Sequence, residues 1–417
     1  MTAPDTIETV DLVIESIGAQ GDGLTAGRLY APLTLPGERV RARVSGERAE
    51  VIEVLAASPD RVAPPCPHFG DCGGCALQHW AAGPYLAWKQ DQIRQALGRE
   101  GLETDILAPF AAGPGERRRL ALHARRIDGH IALGFKARRS WRLVDLQVCT
   151  IAHPRLVAAL PVLRKLAAPF LENPKSAPTL HVTWTDSGLD VDVTGVERRS
   201  GGLSTAARTR AAQAAAEGDV ARVTLAGETI YQSRAPVVRL GPATVALPPG
   251  AFLQAVPAAE VAMADVALAA LEGANKVADL FCGVGTFTFR LAQKASVHAA
   301  DSSAPAVQAL IAATGTASGL KAITAEARDL SRRPLLAMEM KKLDGVVFDP
   351  PRAGAAEQAG EIGRSKVARV VGVSCNPATF ARDARILADA GFALVSVKPV
   401  DQFLWSPHVE LVGVFVR

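Results

Sequence analysis

From about residue 251 the chain alternates short apolar runs with stretches of helical length. Lys276–Leu280, Ser296–Ala300, Gly345–Phe348, Ala368–Val373, Leu394–Pro399 and Glu410–Phe415 read as strands, and helices fill most of the gaps between them. This rhythm predicts a doubly wound α/β domain over 251–417. In such domains ligands sit at the carboxyl ends of the strands, so the residues that follow each apolar run are the ones to inspect.

A chain of 417 residues is too long for one ordinary domain, and two or three are expected. Residues 7–55 carry short alternating runs broken by glycines, among them Val10–Ile14, Arg39–Val44 and Ala49–Val54. They predict a small β-barrel of the OB type over 1–58. Ser58-Pro59 and Pro64-Pro65 mark its end. Residues 59–250 combine a cysteine cluster, a helix from Tyr85 to about Arg99, a hairpin pairing His181–Thr185 with Leu189–Val193, and an Ala-rich helix over 205–217. No run of eighteen apolar residues is present, which argues against a membrane span. The first six residues lack a basic start and an apolar stretch, so a cytoplasmic protein is expected, with a monomer as the default state.

Charge is uneven. Residues 1–60 hold 5 basic and 10 acidic side chains, whereas residues 61–250 hold 24 and 16. The densest basic stretch runs from Arg117-Arg118-Arg119 through Arg125, Arg126, Lys136, Arg138 and Arg139 to Arg142. Such clusters bind the phosphates of nucleic acid, or form a solvated face, and RNA contact is the stronger reading. Three of the six cysteines crowd together as Cys66, Cys72 and Cys75. In a cytosolic chain this reads as metal binding rather than disulfides, and four thiolates can take a structural zinc or an iron–sulfur cluster.

Val277-Ala278-Asp279-Leu280 ends a strand, and Cys282-Gly283-Val284-Gly285-Thr286-Phe287 leads into a helix. Gly283 and Gly285 let the backbone approach a ligand. Asp301, at the next strand end, suits ribose hydroxyls. The third glycine of the dinucleotide pattern is missing, so S-adenosylmethionine fits better than NAD. Asp349-Pro350-Pro351-Arg352 follows another apolar strand, where prolines can fix a carboxylate in the cleft. Cys375, flanked by Ser374 and Asn376, reads equally as a core cysteine or as an activated thiolate. In Ser406-Pro407-His408-Val409-Glu410, Glu410 is the candidate base and His408 its rival. A thiolate and a base are what methylation of a pyrimidine C5 requires. Addition at C6 makes C5 nucleophilic, and removal of the C5 proton lets the thiolate leave.

Asp-Leu-Phe-Cys-Gly-Val-Gly-Thr-Phe, Asp-Pro-Pro-Arg-Ala-Gly, Ser-Cys-Asn-Pro-Ala-Thr-Phe and His-Val-Glu together resemble the RNA uridine-C5 methyltransferase family, in its TRAM-domain, iron–sulfur branch acting on 23S ribosomal RNA. The resemblance covers nearly the whole chain. It implies a class I (Rossmann-like) methyltransferase domain at 251–417, a central α+β iron–sulfur and RNA-binding domain at 59–250, and a shortened TRAM barrel at 1–58. It further implies Cys375 as nucleophile and Glu410 as base. Cofactor contacts are implied at Gln254, Phe281, Thr286, Asp301, Asp329 and Asp349, with Thr286 standing where the family often has asparagine and Asp301 where it often has glutamate. Cys66, Cys72, Cys75 and Cys149 are implied as ligands of a [4Fe–4S] cluster. The barrel is acidic and holds a single aromatic, Tyr30, so the central basic segment is expected to carry more of the phosphate contact. Three rivals remain: a uridine-C5 enzyme acting on transfer RNA, a cytosine-C5 enzyme, disfavoured because no cysteine follows Asp349-Pro350-Pro351, and a non-catalytic RNA-binding iron–sulfur assembly factor.

Overall fold

The computed structural model describes residues 8–197 and 202–417. Its C-terminal sheet contains β1 (Lys276–Leu280), β2 (Ser296–Asp301), β3 (Ile323–Ala327), β4 (Gly345–Phe348), β5 (Arg369–Ser374), β6 (Ala393–Asp401) and β7 (Glu410–Val416). They lie in the order β3-β2-β1-β4-β5-β7-β6. β1 to β5 pair in parallel, and β7 runs antiparallel to both neighbours. All six expected strands are present within two residues of their expected ends. The strand β3 was not expected from the sequence. It is an edge strand whose Ile-Thr-Ala-Glu-Ala leaves every residue partly or fully exposed, so it carries no apolar run. From β1 the chain proceeds outward to β3 and then returns across β1 to β4, which opens a crevice at the carboxyl ends of the strands.

Segments upstream of residue 251 complete this unit. Asp105–Ile106 and Phe110–Ala111 pair with β6. The helix Ala82–Arg99 buries Ile93, Ala96 and Leu97 in the same apolar cluster as Val346, Phe348, Phe380 and Leu411. A hairpin of Val237–Leu240 and Ala243–Ala246 packs Val238, Leu240 and Val245 on Cys282, Val284 and Phe289. Sequence rhythm cannot reveal these additions, because they join the core through long-range contacts.

The central region holds a seven-stranded sheet that includes Arg119–Ile127, His130–Lys136 and the predicted hairpin Thr179–Thr185 with Gly188–Thr194. Helices Leu160–Ala167 and Thr205–Glu217 bury Leu163, Ala207, Ala211 and Ala215 against it. Residues 8–56 form a six-stranded sheet around Ile14, Ala31, Val40, Ala42 and Ala49. No helix among the described residues is long and apolar enough to cross a membrane.

The basic stretch is not one open face. Arg138 and Arg139 reach the buried Asp22 of the N-terminal sheet at 2.9 and 2.5 Å. Arg118 is itself buried, 2.7 Å from Glu260, which also holds Arg290 at 2.9 Å. Carboxylates as buried as Asp22 and Glu260 require such partners, so Arg138 and Arg139 tie the 8–56 sheet to the central sheet and Arg118 ties the central sheet to the helix Pro257–Ala270. Arg125 and Arg126 remain exposed.

Candidate active site

Strand register brings the central pair together. Ser374 on β5 faces Leu411 on the antiparallel β7, so the next residues along, Cys375 and Glu410, meet at adjacent strand ends. Neighbouring strands lie about 5 Å apart. On the other side, Leu280 faces Phe348, which places Phe281 beside Asp349. Thus Asp301, Asp349, Cys375 and Glu410 occupy one edge of one sheet, as expected for groups delivered at strand ends.

Two glutamines link the carboxylates. Gln254 Nε2 donates to Asp349 Oδ2 at 3.0 Å. Gln402 Nε2 donates to Gln254 Oε1 at 2.7 Å and to Glu410 Oε2 at 2.8 Å. Gln402 Oε1 accepts from the Ala255 N–H at 2.9 Å. Gln254 is aimed by the arginine run: Arg118 Nε donates to the Gln254 carbonyl at 3.0 Å and Arg119 Nη1 to the Leu253 carbonyl at 2.8 Å. Sequence reasoning does not find Gln402. The only signal for it is a polar pair, Asp401-Gln402, ending an apolar strand.

Burial raises both Asp349 and Glu410 above the ordinary carboxyl range, and the charge of Asp349 raises Glu410 further. The pair therefore retains a proton near neutrality. Burial pushes the Cys375 thiol up to about 11, and the charges of Glu410 and Asp349 push it the same way. Asn376 caps the helix Pro377–Asp389 that begins just after Cys375, so the positive helix end favours a thiolate. The Asp349-Pro-Pro-Arg turn is tied to this helix. Asn376 Nδ2 and Thr379 Oγ1 donate to the Arg352 carbonyl, and Arg382 Nη2 to that of Ala353. Gly354 adopts φ +78° there, a left-handed backbone that any side chain would strain.

In the glycine loop, Phe281 (φ 61°) and Gly283 (φ 54°) both adopt left-handed backbone. For a bulky aromatic that conformation is an outlier of the kind found at functional sites. Asp301 accepts the N–H groups of Gly283 (2.9 Å) and Ser303 (2.7 Å). A Cβ on Gly283 would meet nothing within 4 Å, so the loop faces open space. Asp279 is fully buried, with Thr288 Oγ1 donating to Oδ2 at 2.5 Å and Oδ1 left without a hydrogen-bond partner. Burial pushes its carboxyl up to about 7. Thr286 sits half-buried in the loop, and Cys282 is buried in the hydrophobic cluster behind it. Asp329 lies two residues beyond β3, half-exposed, with its carboxylate accepting from Ser331.

A cavity of about 250 Å³ adjoins Gln402. Arg117, Phe403, Ser406, His408, Phe135 and Ile151 line it. Arg117 lies 5.8 Å over the Phe403 ring, while His408 meets Phe403 edge-on. Burial and the neighbouring Arg352, Lys89 and Arg117 lower the pKa of His408, leaving it neutral at pH 7.

Cys66, Cys72, Cys75 and Cys149 line a second cavity beside Phe135, Leu146, Val148 and Ile151. The Gly74 N–H points at Cys72 Sγ (3.4 Å), the Gln78 side chain bonds Cys75, and the Ile151 and Ala152 N–H groups bond Cys149. No group of three or more His, Cys, Asp or Glu among the described residues has the geometry to hold a metal ion.

Comparison with known proteins places this arrangement. Residues 244–417 match the family model of tRNA (uracil-5-)-methyltransferases. An uncharacterized RNA methyltransferase of Caulobacter vibrioides is 67% identical over 98% of this chain and 100% of its own length. The 23S rRNA (uracil(1939)-C(5))-methyltransferase RlmD of Halomonas elongata is 36% identical over 96% of this chain and 88% of its own. The chain belongs to the RNA uracil-C5 methyltransferase family. Among solved structures, the tRNA (uracil-54, C5)-methyltransferase of Pyrococcus abyssi, in complex with S-adenosyl-L-homocysteine, shares the fold at a TM-score of 0.77 and 23% identity, with 97% of this chain and 99% of that one covered. In this RNA uracil-C5 methyltransferase, β1, β2, β4, β5 and β7 deliver the residues described above to one sheet edge.

Proposed function

We propose that this enzyme methylates C5 of a uridine in 23S ribosomal RNA through a covalent bond between Cys375 and uracil C6. The observation that carries this is the pairing of Cys375 with Glu410 at adjacent strand ends, joined through Gln402 and Gln254 to Asp349. The choice of ribosomal over transfer RNA rests on the relation to RlmD across nearly the full chain.

S-adenosylmethionine would supply an electrophilic methyl group on a sulfonium. The open face at Gly283, the carboxylate of Asp301 and the Gln254–Asp349 pair fit its ribose, adenine and amino-acid portions as a set of polar groups around an approachable backbone. Phe281 and Thr286 would complete the wall, and Asp329 would act from the end of β3. The Cys375 thiolate adds to uracil C6, and the C5=C6 electron pair becomes available at C5. Once the methyl is on C5, the Glu410 carboxylate takes the C5 proton, the C5=C6 bond re-forms, and the S–C6 bond breaks. Burial and the charges of Glu410 and Asp349 push the Cys375 thiol up to about 11, so positive charge brought in beside it would favour the thiolate. The cavity beside Gln402, walled by Arg117 and Phe403, would receive the flipped base.

We propose that Cys66, Cys72, Cys75 and Cys149 would hold the [4Fe–4S] cluster: the four thiols line one cavity, with N–H donors aimed at three of them. Exposed Trp141 and Phe252, each beneath a half-buried cation, would hold RNA, with Lys136 3.9 Å over Trp141 and Arg119 5.4 Å over Phe252. The N-terminal sheet reads as a TRAM-type OB barrel whose buried Asp22 serves as a domain anchor.

The test uses a 23S rRNA transcript tritiated at uracil C5. Cys375→Ala should release no tritium and form no adduct, whereas Glu410→Gln should accumulate a covalent protein–RNA species. Normal product from the Cys375 variant would sink the mechanism.

A further inference from the structure

Trp405, in the segment between β6 and β7, has φ 57°. A bulky residue holds that conformation only where its surroundings impose it. Here three hydrogen bonds do so. The Trp405 N–H donates to Tyr85 Oη at 2.8 Å, and its carbonyl accepts the N–H groups of Ala76 (2.8 Å) and Leu77 (3.0 Å), directly after Cys75. Tyr85 Oη in turn donates to Asp401 Oδ2 at 2.7 Å. Lys89, one turn further along the same helix, lies 2.5 Å from Asp401 Oδ1 and 3.2 Å from the Phe403 carbonyl. Tyr85, Lys89 and Asp401 are all buried.

We propose that Tyr85 and Lys89 are positioning residues that latch the 401–409 segment and thereby set Gln402 and Glu410 for proton removal from C5. Asp401 immediately precedes Gln402, the residue that bridges Gln254 and Glu410. Both ends of the bridge thus depend on how Asp401 is held. The helix that carries the latch lies outside the 244–417 region matched by the family model. An ion pair buried this deeply on a helix that already packs through Ile93 and Leu97 is not needed to hold the helix in place. Its geometric result is the fixed path of the 401–409 segment. Because Ala76 and Leu77 hold the other face of Trp405, the cysteine segment is a wall of the same latch.

The latch rests on the proposed covalent mechanism, and the experiment separates the two. Tyr85→Phe removes the one hydroxyl that joins Trp405 to Asp401. It is compared with Ile93→Val, on the same helix but facing the apolar core, using the full-length holoenzyme and the C5-tritiated transcript. Tyr85→Phe should bind the transcript within about twofold of wild type while turnover falls between about tenfold and a hundredfold. Covalent adduct should accumulate, because addition at C6 precedes the impaired step. Ile93→Val should show neither effect. Wild-type turnover without adduct in Tyr85→Phe, or equal losses in both variants, would overturn the latch. No tritium release from wild-type enzyme would overturn the mechanism itself, and the latch with it.

Discussion

Replacing Glu410 by glutamine should stabilise the free enzyme at alkaline pH while it blocks product release. Burial and the nearby Asp349 raise the folded-state pKa of Glu410 above its ordinary value of 4.5. Between the unfolded and folded values the native state therefore holds a proton that the unfolded chain has released. Stability falls as pH rises through that window, and the full penalty is reached above the folded value. Raising a folded-state pKa by one pH unit corresponds to about 1.4 kcal/mol. Because burial and the charge of Asp349 both disfavour the Glu410 carboxylate, we expect about 2–3 kcal/mol to be recovered when it becomes a neutral amide. Glutamine can still accept from Gln402 Nε2 through its Oε1, so the bridge survives. Thermal unfolding of the free protein should show Glu410→Gln melting about 5–10 °C above wild type at pH 9, with the gap closing towards pH 5. A gap that ignores pH, or a less stable variant at pH 9, would refute the argument that Glu410 is a desolvated, repelled carboxyl.

Three further outcomes follow from the geometry. Lys89→Met leaves Asp401 buried without a counter-charge and should cost about 3–5 kcal/mol in urea unfolding, while the double variant with Asp401→Asn should recover most of the loss. With its thiol pushed up to about 11, Cys375 should be alkylated slowly by iodoacetamide at pH 8, where about one thiol in a thousand is ionised; Asp349→Asn should speed the reaction by lowering that value. Anaerobically purified protein should carry about four irons per chain, and Cys75→Ala should lose them; zinc in place of iron would refute the cluster.

Much of the active site was legible because strand ends are local features. An apolar run followed by Asp-Leu-Phe-Cys-Gly, Asp-Pro-Pro-Arg or Ser-Cys-Asn-Pro announces both the strand and the residue delivered at its end; Asp301, Asp349 and Cys375 sit at such carboxyl ends, and Glu410 opens the antiparallel strand beside Cys375. What stayed hidden depends on contacts between distant segments. Gln402, Tyr85 and Lys89 carry no motif, and their roles exist only because the helix Ala82–Arg99 packs beside β6. The arginine run misled in part for the same reason. Composition marks positive charge, whereas the partners that bury it lie far off in sequence: Asp22 is 117 residues from Arg139, and Glu260 is 142 residues from Arg118.

Sequence alone thus determined the strand–helix order of the C-terminal unit and which polar residues stand at its strand ends, since hydrophobic periodicity and turn residues act over a few neighbours. Tertiary structure decided which of those groups are linked by hydrogen bonds, which arginines stay exposed and which pair with buried carboxylates. It also decided how Trp405 is forced into its backbone conformation. Charge pairing, desolvation and strain depend on distance in space, and a linear chain does not display that distance.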